Sequence, residues 1–419
     1  MSIPRLAALL FLVTTPVLAA DWPQWRGLWL NGSSSAKNVP TKIAIAATAW
    51  QTPLPGRSGA TPAKIGDKLF VSTPDGADLY LYCLSTKSGE VLWKKKIGTG
   101  NKNMGFNSKN NFATPSPMAD EKHVWILVGS GDMACFTHDG EEVWKRNIPE
   151  SHGPFTQDFG IGSSALLWKD TIILGVFHRK AESYLLALDK KTGADKWKVM
   201  RPTDAVGESR DGYTTPTVFV DKDGHEELIV TAGDLATAHR LSDGAELWRH
   251  GDLNLQGRRD YRFIVSPVCS PELVLLCACK GGPMYAVRPG GKGDATKSDR
   301  RVWTRNKATP DVPSPAYADG YFYILSSQGV LSCVDAPSGD EKWSQRLGSG
   351  TFFASPVVVD GKVYVVSERG KAAIVKAGPK FEKLADGDLE DDVLSTPIPD
   401  DGRIYFRTSK KLVCIEGKE

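Results

Sequence analysis

The chain has 419 residues, 52 Lys+Arg against 49 Asp+Glu, a formal net charge of +3, and 24% charged residues. This balance excludes the basic surface that nucleic-acid binding needs, and it is the composition of a folded domain rather than a disordered one. With 41 Gly, 26 Pro and 12 Trp, and no long apolar run at helical spacing, the chain reads as all-β: many short strands joined by tight turns.

In chain order, residues 1–20 come first. They carry Arg5, an apolar run over 6–13, Pro16 and the small residues Ala19 and Ala20, the arrangement of a secretory signal peptide. The run is too short to span a bilayer. Cleavage fits after Ala19 or Ala20, with Ala20 preferred, and no lipid-anchor cysteine stands at the junction. The expected mature chain is therefore periplasmic or secreted, monomeric and without a transmembrane segment. Residues 21–42, opening Asp-Trp-Pro-Gln-Trp-Arg-Gly, read as an N-terminal arm whose two Trp side chains pack on a blade or across a channel mouth.

Residues 43–419 form one repeat domain. Gly-x-x-x-Trp recurs at Gly89/Trp93, Gly140/Trp144, Gly193/Trp197, Gly244/Trp248 and Gly339/Trp343, a self-similarity of roughly 40–55 residues that marks a propeller or solenoid. Repeats open on Thr61-Pro62, Thr114-Pro115, Ser163-Ser164, Thr215-Pro216, Ser266-Pro267, Ser314-Pro315, Ser355-Pro356 and Thr396-Pro397. Each continues through three further strand signals, which predicts an eight-bladed β-propeller of four-stranded blades; seven blades with a strand-like arm is the alternative. Trp50 has no preceding motif glycine, and the last repeat lacks a terminal Trp. The strand around Trp50 is therefore expected to complete the C-terminal blade and close the ring. Trp50, Trp93, Trp144, Trp197, Trp248, Trp303 and Trp343 are assigned to docking between blades. Repeat five reaches Trp303 only after a Gly/Lys-rich insertion at 289–301, and repeat seven has no Trp, so looser outer strands are expected there.

Seven cysteines follow the repeat rather than a disulfide spacing. Cys83, Cys135 and Cys333 stand where Ala187 stands in its repeat, and Cys414 stands in the matching strand of the last one, so all four read as small buried packing residues. Cys277 and Cys279 lack partners for a metal or redox site.

Ala187 to Trp197, Ala-x-Asp-x-x-Thr-Gly-x-x-x-Trp, resembles the tryptophan-docking repeat of pyrroloquinoline-quinone (PQQ)-type propellers, and Cys333 to Trp343 repeats it with Cys for Ala and Ser for Thr. The opening of the arm and Ala-Gly-Pro-Lys-Phe at 377–381 resemble a group of exported PQQ-like repeat proteins of planctomycete-type bacteria. The resemblance implies an eight-bladed propeller related in fold to the BamB-type scaffold of outer-membrane barrel assembly, which carries a lipid-anchor cysteine that this chain lacks. Quinoprotein alcohol dehydrogenases of the same superfamily place two sequence-adjacent cysteines above the quinone. This chain has neither Cys-Cys nor Cys-x-x-Cys-His, so no cofactor is expected, with PQQ plus calcium as the alternative.

Loops leading into the first strands converge at one mouth of a propeller channel, and here they are polar and aromatic. Arg258, Arg259 and Arg262 offer guanidinium forks to a carboxylate or phosphate; Tyr213, Tyr261 and Phe155 offer faces to a sugar or aromatic group; Asp158 and Asp211 add acceptors. The same charges also read as ion pairs between neighbouring blades. No metal site is expected, since the His and acidic residues lack ligand spacing. The expected function is a non-enzymatic exported scaffold or ligand-binding module, engaging an envelope protein or a small anionic or sugar-like ligand at the channel face. A PQQ- or calcium-dependent oxidoreductase is the competing reading.

Overall fold

A computed structural model describes residues 20–101, 109–157 and 160–417. The signal sequence, apart from Ala20, and the candidate Asp158 lie outside the described residues. Eight antiparallel sheets follow one another along the chain and form the eight blades of a propeller.

Blade 3 shows how the sequence makes one. Leu166–Trp168, Thr171–Val176, Tyr184–Asp189 and Asp195–Met200 pair in that order. The first three are buried almost throughout because a neighbouring blade covers each face, so they read as continuous apolar runs. The outer strand alternates exposed and half-buried residues and carries the charges.

All eight outer strands share one irregularity. Ala187 pairs with Trp197 but Leu188 pairs with Asp195, so Lys196 bulges out of the ladder. The same skip falls at Leu92, Val143, Leu247, Val302, Lys342, Leu384 and Ala49. A bulge bends the strand and re-aims the next side chain. Here that side chain is the docking Trp, which turns toward the following blade. In blade 7 Ala385 takes this place opposite Ile374, so its outer strand keeps the register of the others rather than loosening.

The indoles dock across the ring. Nε1 of Trp93, Trp144, Trp197 and Trp343 donates to the carbonyls of His138, Lys190, Leu241 and Gly378 at 2.9, 3.0, 3.0 and 2.9 Å, each in the next blade. Trp303 donates to Ala336 O at 2.8 Å. Trp248 departs from this pattern because blade 5 has the insertion instead of the short turn. Its Nε1 donates to Glu227 Oε2 within its own blade at 2.7 Å, and the insertion supplies Gly293–Asp294 as a fifth, parallel strand beside Trp248 and Arg249. Trp50, on Thr48–Pro53, pairs opposite Cys414 in the last blade and donates to Thr86 O of blade 1 at 2.9 Å, so the ring closes as the sequence predicts.

A second closure runs around the axis. Backbone N–H groups of Thr61, Ser116, Ser164, Thr215, Ser266, Ser314, Ser355 and Thr396 each donate to the hydroxyl of the next residue in that series, and Thr396 donates back to Thr61, at 2.9–3.2 Å. All eight residues are buried. The series corrects one expected start: blade 2 enters the ring at Ser116 and not Thr114. Thr114 lies two residues earlier, on the channel wall.

The arm passes beneath the ring. Trp22 is fully buried and bridges Lys64 of blade 1; Pro23 O accepts from Ala119 N of blade 2; Gln24 exchanges two hydrogen bonds with the Leu167 backbone of blade 3. The arm then crosses to the far side, where the Arg26 guanidinium donates to Pro315 O of blade 6 and Ser33–Ser34 joins Val357–Val359 of blade 7 as a parallel strand. Burial without a carboxylate beside it pulls the Arg26 guanidinium down to about 9.

All seven cysteines are free thiols, and burial pushes Cys83, Cys135, Cys333 and Cys414 up to about 12. Each of the four stands opposite a docking Trp, which accounts for the small residue there.

Candidate functional site

The loops entering the first strands surround a cavity of about 210 Å³ on the propeller axis. Its construction follows the repeat. Trp25 of the arm lines it from below, six of the eight ring hydroxyl residues line its wall, and above them stands the residue two positions before each ring hydroxyl. That upper layer is Gly59, Thr114, Gly162, Tyr213, Ile264, Val312, Phe353 and Leu394. The layer is largely apolar, and Lys109, Asn110 and Arg262 complete the lining.

Two ion-pair networks flank this mouth. On one side Asp211, whose side chain is 1% exposed, accepts from Arg179 at 2.6 Å and from the Tyr213 hydroxyl at 3.2 Å. Glu208 faces Arg179 at 4.0 Å and Arg262 at 3.6 Å, which ties blades 3, 4 and 5 together. On the other side Glu368 of blade 7 pairs with Lys109 at 2.9 Å and Arg57 at 3.4 Å, and Asp392 pairs with Arg57 at 3.7 Å and Arg369 at 3.3 Å. The Lys109 ammonium lies 4.2 Å from the centre of the Phe353 ring, a cation–π contact at the cavity edge.

Among the residues singled out from the sequence, Tyr213 and Arg262 line the cavity. Asp211 lies behind Tyr213, as its anchor. Arg258 pairs with Asp260 at 2.8 Å inside its own loop and stacks 4.8 Å from the centre of the Tyr261 ring, which it helps to bury. Lys280 reaches the same Asp260 at 3.0 Å, and hydrogen bonds from Arg258 and Lys280 hold that carboxyl well below the usual carboxylate range. Arg259 is exposed on the outer part of this loop. Phe155 packs instead against the core between blades 2 and 3. Trp25 lies at the channel, one of the two places expected for the arm's Trp side chains, whereas Ile264, Val312 and Leu394 escape the sequence reading and Lys109 and Asn110 are not singled out there as individual site residues. Aligning the repeat starts on the ring hydroxyls is the signal that finds most of the wall.

The described lining contains no carboxylate, histidine or cysteine. A calcium ion needs six to eight oxygen ligands, usually with several carboxylates. The wall offers hydroxyls committed to the ring, the Thr114 and Tyr213 hydroxyls and one side-chain amide, with Lys109 and Arg262 beside them, so this donor set does not fit calcium. The sole group of three candidate ligands among the described residues is Asp221, Asp223 and His225, in the turn after the first strand of blade 4 and outside the cavity lining, where Asp221 accepts from the backbone of both other residues. No helix among the described residues is long and apolar enough to cross a membrane.

The family model described as outer membrane protein assembly factor BamB, of the PQQ-repeat type, matches residues 40–199, 81–287 and 291–377. Among curated proteins, a polyvinylalcohol dehydrogenase from a Pseudomonas species is 24% identical over 144 residues, a match covering 33% of this chain and only 21% of that enzyme. Among solved structures, BamB from Moraxella catarrhalis superposes with a TM-score of 0.66 at 12% identity, covering 88% of this chain and 99% of that one. The quinohemoprotein alcohol dehydrogenase from Comamonas testosteroni superposes with a TM-score of 0.71 at 15% identity, covering 95% and 81%. These likenesses establish the fold, and the family match covers most of the chain, which belongs to the BamB-type PQQ-repeat family.

Proposed function

We propose that this member of the BamB-type PQQ-repeat family is an exported, non-enzymatic binding module, which engages an envelope protein or an anionic small molecule at its loop-bearing face. One observation carries the reading: the described axial cavity combines a largely apolar upper wall with Lys109 and Arg262 at its mouth, and its described lining has no carboxylate, histidine or cysteine. Such a site binds and positions. The doubly closed ring beneath keeps the loops in fixed relation, so binding demands little ordering of the scaffold. Arg262, restrained by Glu208, and the exposed Arg259 are the groups placed to meet a carboxylate.

The experiment is crosslinking capture from an envelope fraction with the mature protein, beside Arg259→Ala and Arg262→Ala. Capture that falls in both variants supports the loop face; capture unchanged in both removes it. The competing oxidoreductase reading draws on the likeness to PQQ-type dehydrogenase folds. Incubation with PQQ and calcium, followed by dye reduction with alcohol substrates, tests it directly: stoichiometric quinone uptake with turnover overturns the binding-module reading.

A further inference from the structure

The face opposite the loops carries another cavity, of about 330 Å³. The arm forms one wall. The turns after the first strands of blades 1, 2 and 3, with Ile65, Glu121 and Trp168, form the other. Two indoles line it, and one is conspicuously wet: Trp29 is 50% exposed, beside Leu28 at 52%. Leaving an indole face in water forgoes about 25 cal/mol per Å² of apolar surface.

The backbone beside Trp29 and the ring of Trp168 are both anchored. Leu30, the residue after Trp29, is buried in the cluster of Leu166 and Leu185, against which Trp168 also packs. Trp168 Nε1 donates to Glu226 Oε2 at 3.1 Å, and Glu226 is itself paired with Lys169 at 2.7 Å, so the plane of that ring is fixed. The charges around the cavity compensate one another: Lys190 pairs with Asp120 at 2.8 Å, Lys169 with Glu226, and Asp21 with Lys64 at 3.3 Å. Ser33, Ser34 and Ser35 and the exposed Glu121 carboxylate complete the wall.

Aromatic faces combined with hydroxyls, a carboxylate and balanced charge match the chemistry of a pyranose. Its C–H face stacks on an indole, and its hydroxyls both donate and accept. An acidic peptide or an anionic lipid surface needs uncompensated cations, and an amphipathic helix needs a continuous apolar groove rather than one edged by serines. We infer that this groove binds a neutral saccharide, with Trp29 as the stacking platform and Glu121 accepting from a ring hydroxyl. The site lies on the face away from Arg262 and does not depend on the loop-face reading.

The test uses the mature chain and saturation-transfer NMR with isothermal titration of cellopentaose, maltopentaose and chitopentaose, with trigalacturonate as the charged comparator. At least one neutral pentasaccharide is expected to bind, and Trp29→Ala to weaken it by roughly threefold to tenfold, the factor that one stacked aromatic is worth. Trp29→Phe should recover part of the loss, Glu121→Gln should fall between, and thermal stability should hold in all three because both side chains face solvent. Failure of all three neutral sugars, tighter binding of trigalacturonate, or undiminished binding by Trp29→Ala each overturns the proposal. Arg262→Ala, placed on the other face, should leave saccharide binding unchanged, so the two readings fail separately.

Discussion

The docking motif makes a prediction that separates two costs usually confounded in a glycine substitution. Gly193 has φ +71°, and a Cβ added there would lie 2.8 Å from two ring atoms of Trp144 in the preceding blade. Gly361, in a hairpin of blade 7, has φ +68° with nothing within 4 Å of the same added atom. Left-handed backbone costs an alanine roughly 1–2 kcal/mol at either place. At Gly193 the indole must also retreat while its Nε1 is tied to Lys190 O at 3.0 Å, and overpacking of this kind adds about 1–3 kcal/mol. Gly361→Ala should therefore cost about 1–2 kcal/mol and Gly193→Ala about 2–5 kcal/mol. Urea unfolding followed by circular dichroism reads both, as a fall in midpoint at constant slope. In a Trp144→Leu background the excess at position 193 should disappear. Equal costs for the two alanines, or an excess that survives Trp144→Leu, would refute the view that the motif glycine is a receptor for the neighbouring blade's Trp.

Thr61→Val keeps the shape of the side chain but removes the acceptor of Thr396 N–H at the seam of the ring; it should cost about 1–3 kcal/mol in the same assay while Thr61→Ser costs little. His239 is buried with hydrogen bonds to Gly244 O and the Thr237 hydroxyl, and burial pulls it down to about 4. Its folded pKa lies below the unfolded one, so its contribution is fully present above about pH 6.5 and is lost as pH falls toward 4, by up to about 3 kcal/mol. A melting-temperature series from pH 7.5 to 4 should show a smaller acid loss in His239→Gln than in the parent. Glu227 Oε2 accepts both Trp248 Nε1 at 2.7 Å and Gly290 N at 3.2 Å, so Glu227→Ala should speed hydrogen exchange across the insertion around residues 290–296 while leaving blade 1 unchanged.

The architecture was readable because each blade repeats the same physical solution. A Ser/Thr at the inner strand recurs eight times, a small residue opposite a docking Trp seven times and the glycine turn before the Trp five times, so Cys83, Cys135, Cys333 and Cys414 could be placed from position alone. The one misplacement, Thr114 for Ser116, arose because two Thr/Ser-Pro pairs stand side by side in repeat two and only the hydrogen bond from Thr61 N distinguishes them. The candidate site was less legible. Arg258 and Tyr261 satisfy each other inside one loop, a local pairing that sequence adjacency allows but does not require, while Lys109 and Phe353 meet across the mouth from loops 244 positions apart.

The arm shows why a repeat protein hides its function from its repeats. Its residues at 21–27 obey no blade pattern, yet nearly every one has a partner on a different blade: Asp21 on Lys64, Pro23 on Ala119, Gln24 on Leu167, Arg26 on Pro315. Crossing the axis in this way places Trp25 under the axial cavity and Trp29 at the edge of the opposite groove. Both cavities thus take an aromatic wall from the same non-repeating segment. An arm that served only to seal the ring would have no reason to leave Trp29 half in water after burying Trp22 completely. The physical difference between those two tryptophans, seven positions apart along one strap, is the sharpest indication that the arm builds sites as well as closing the fold.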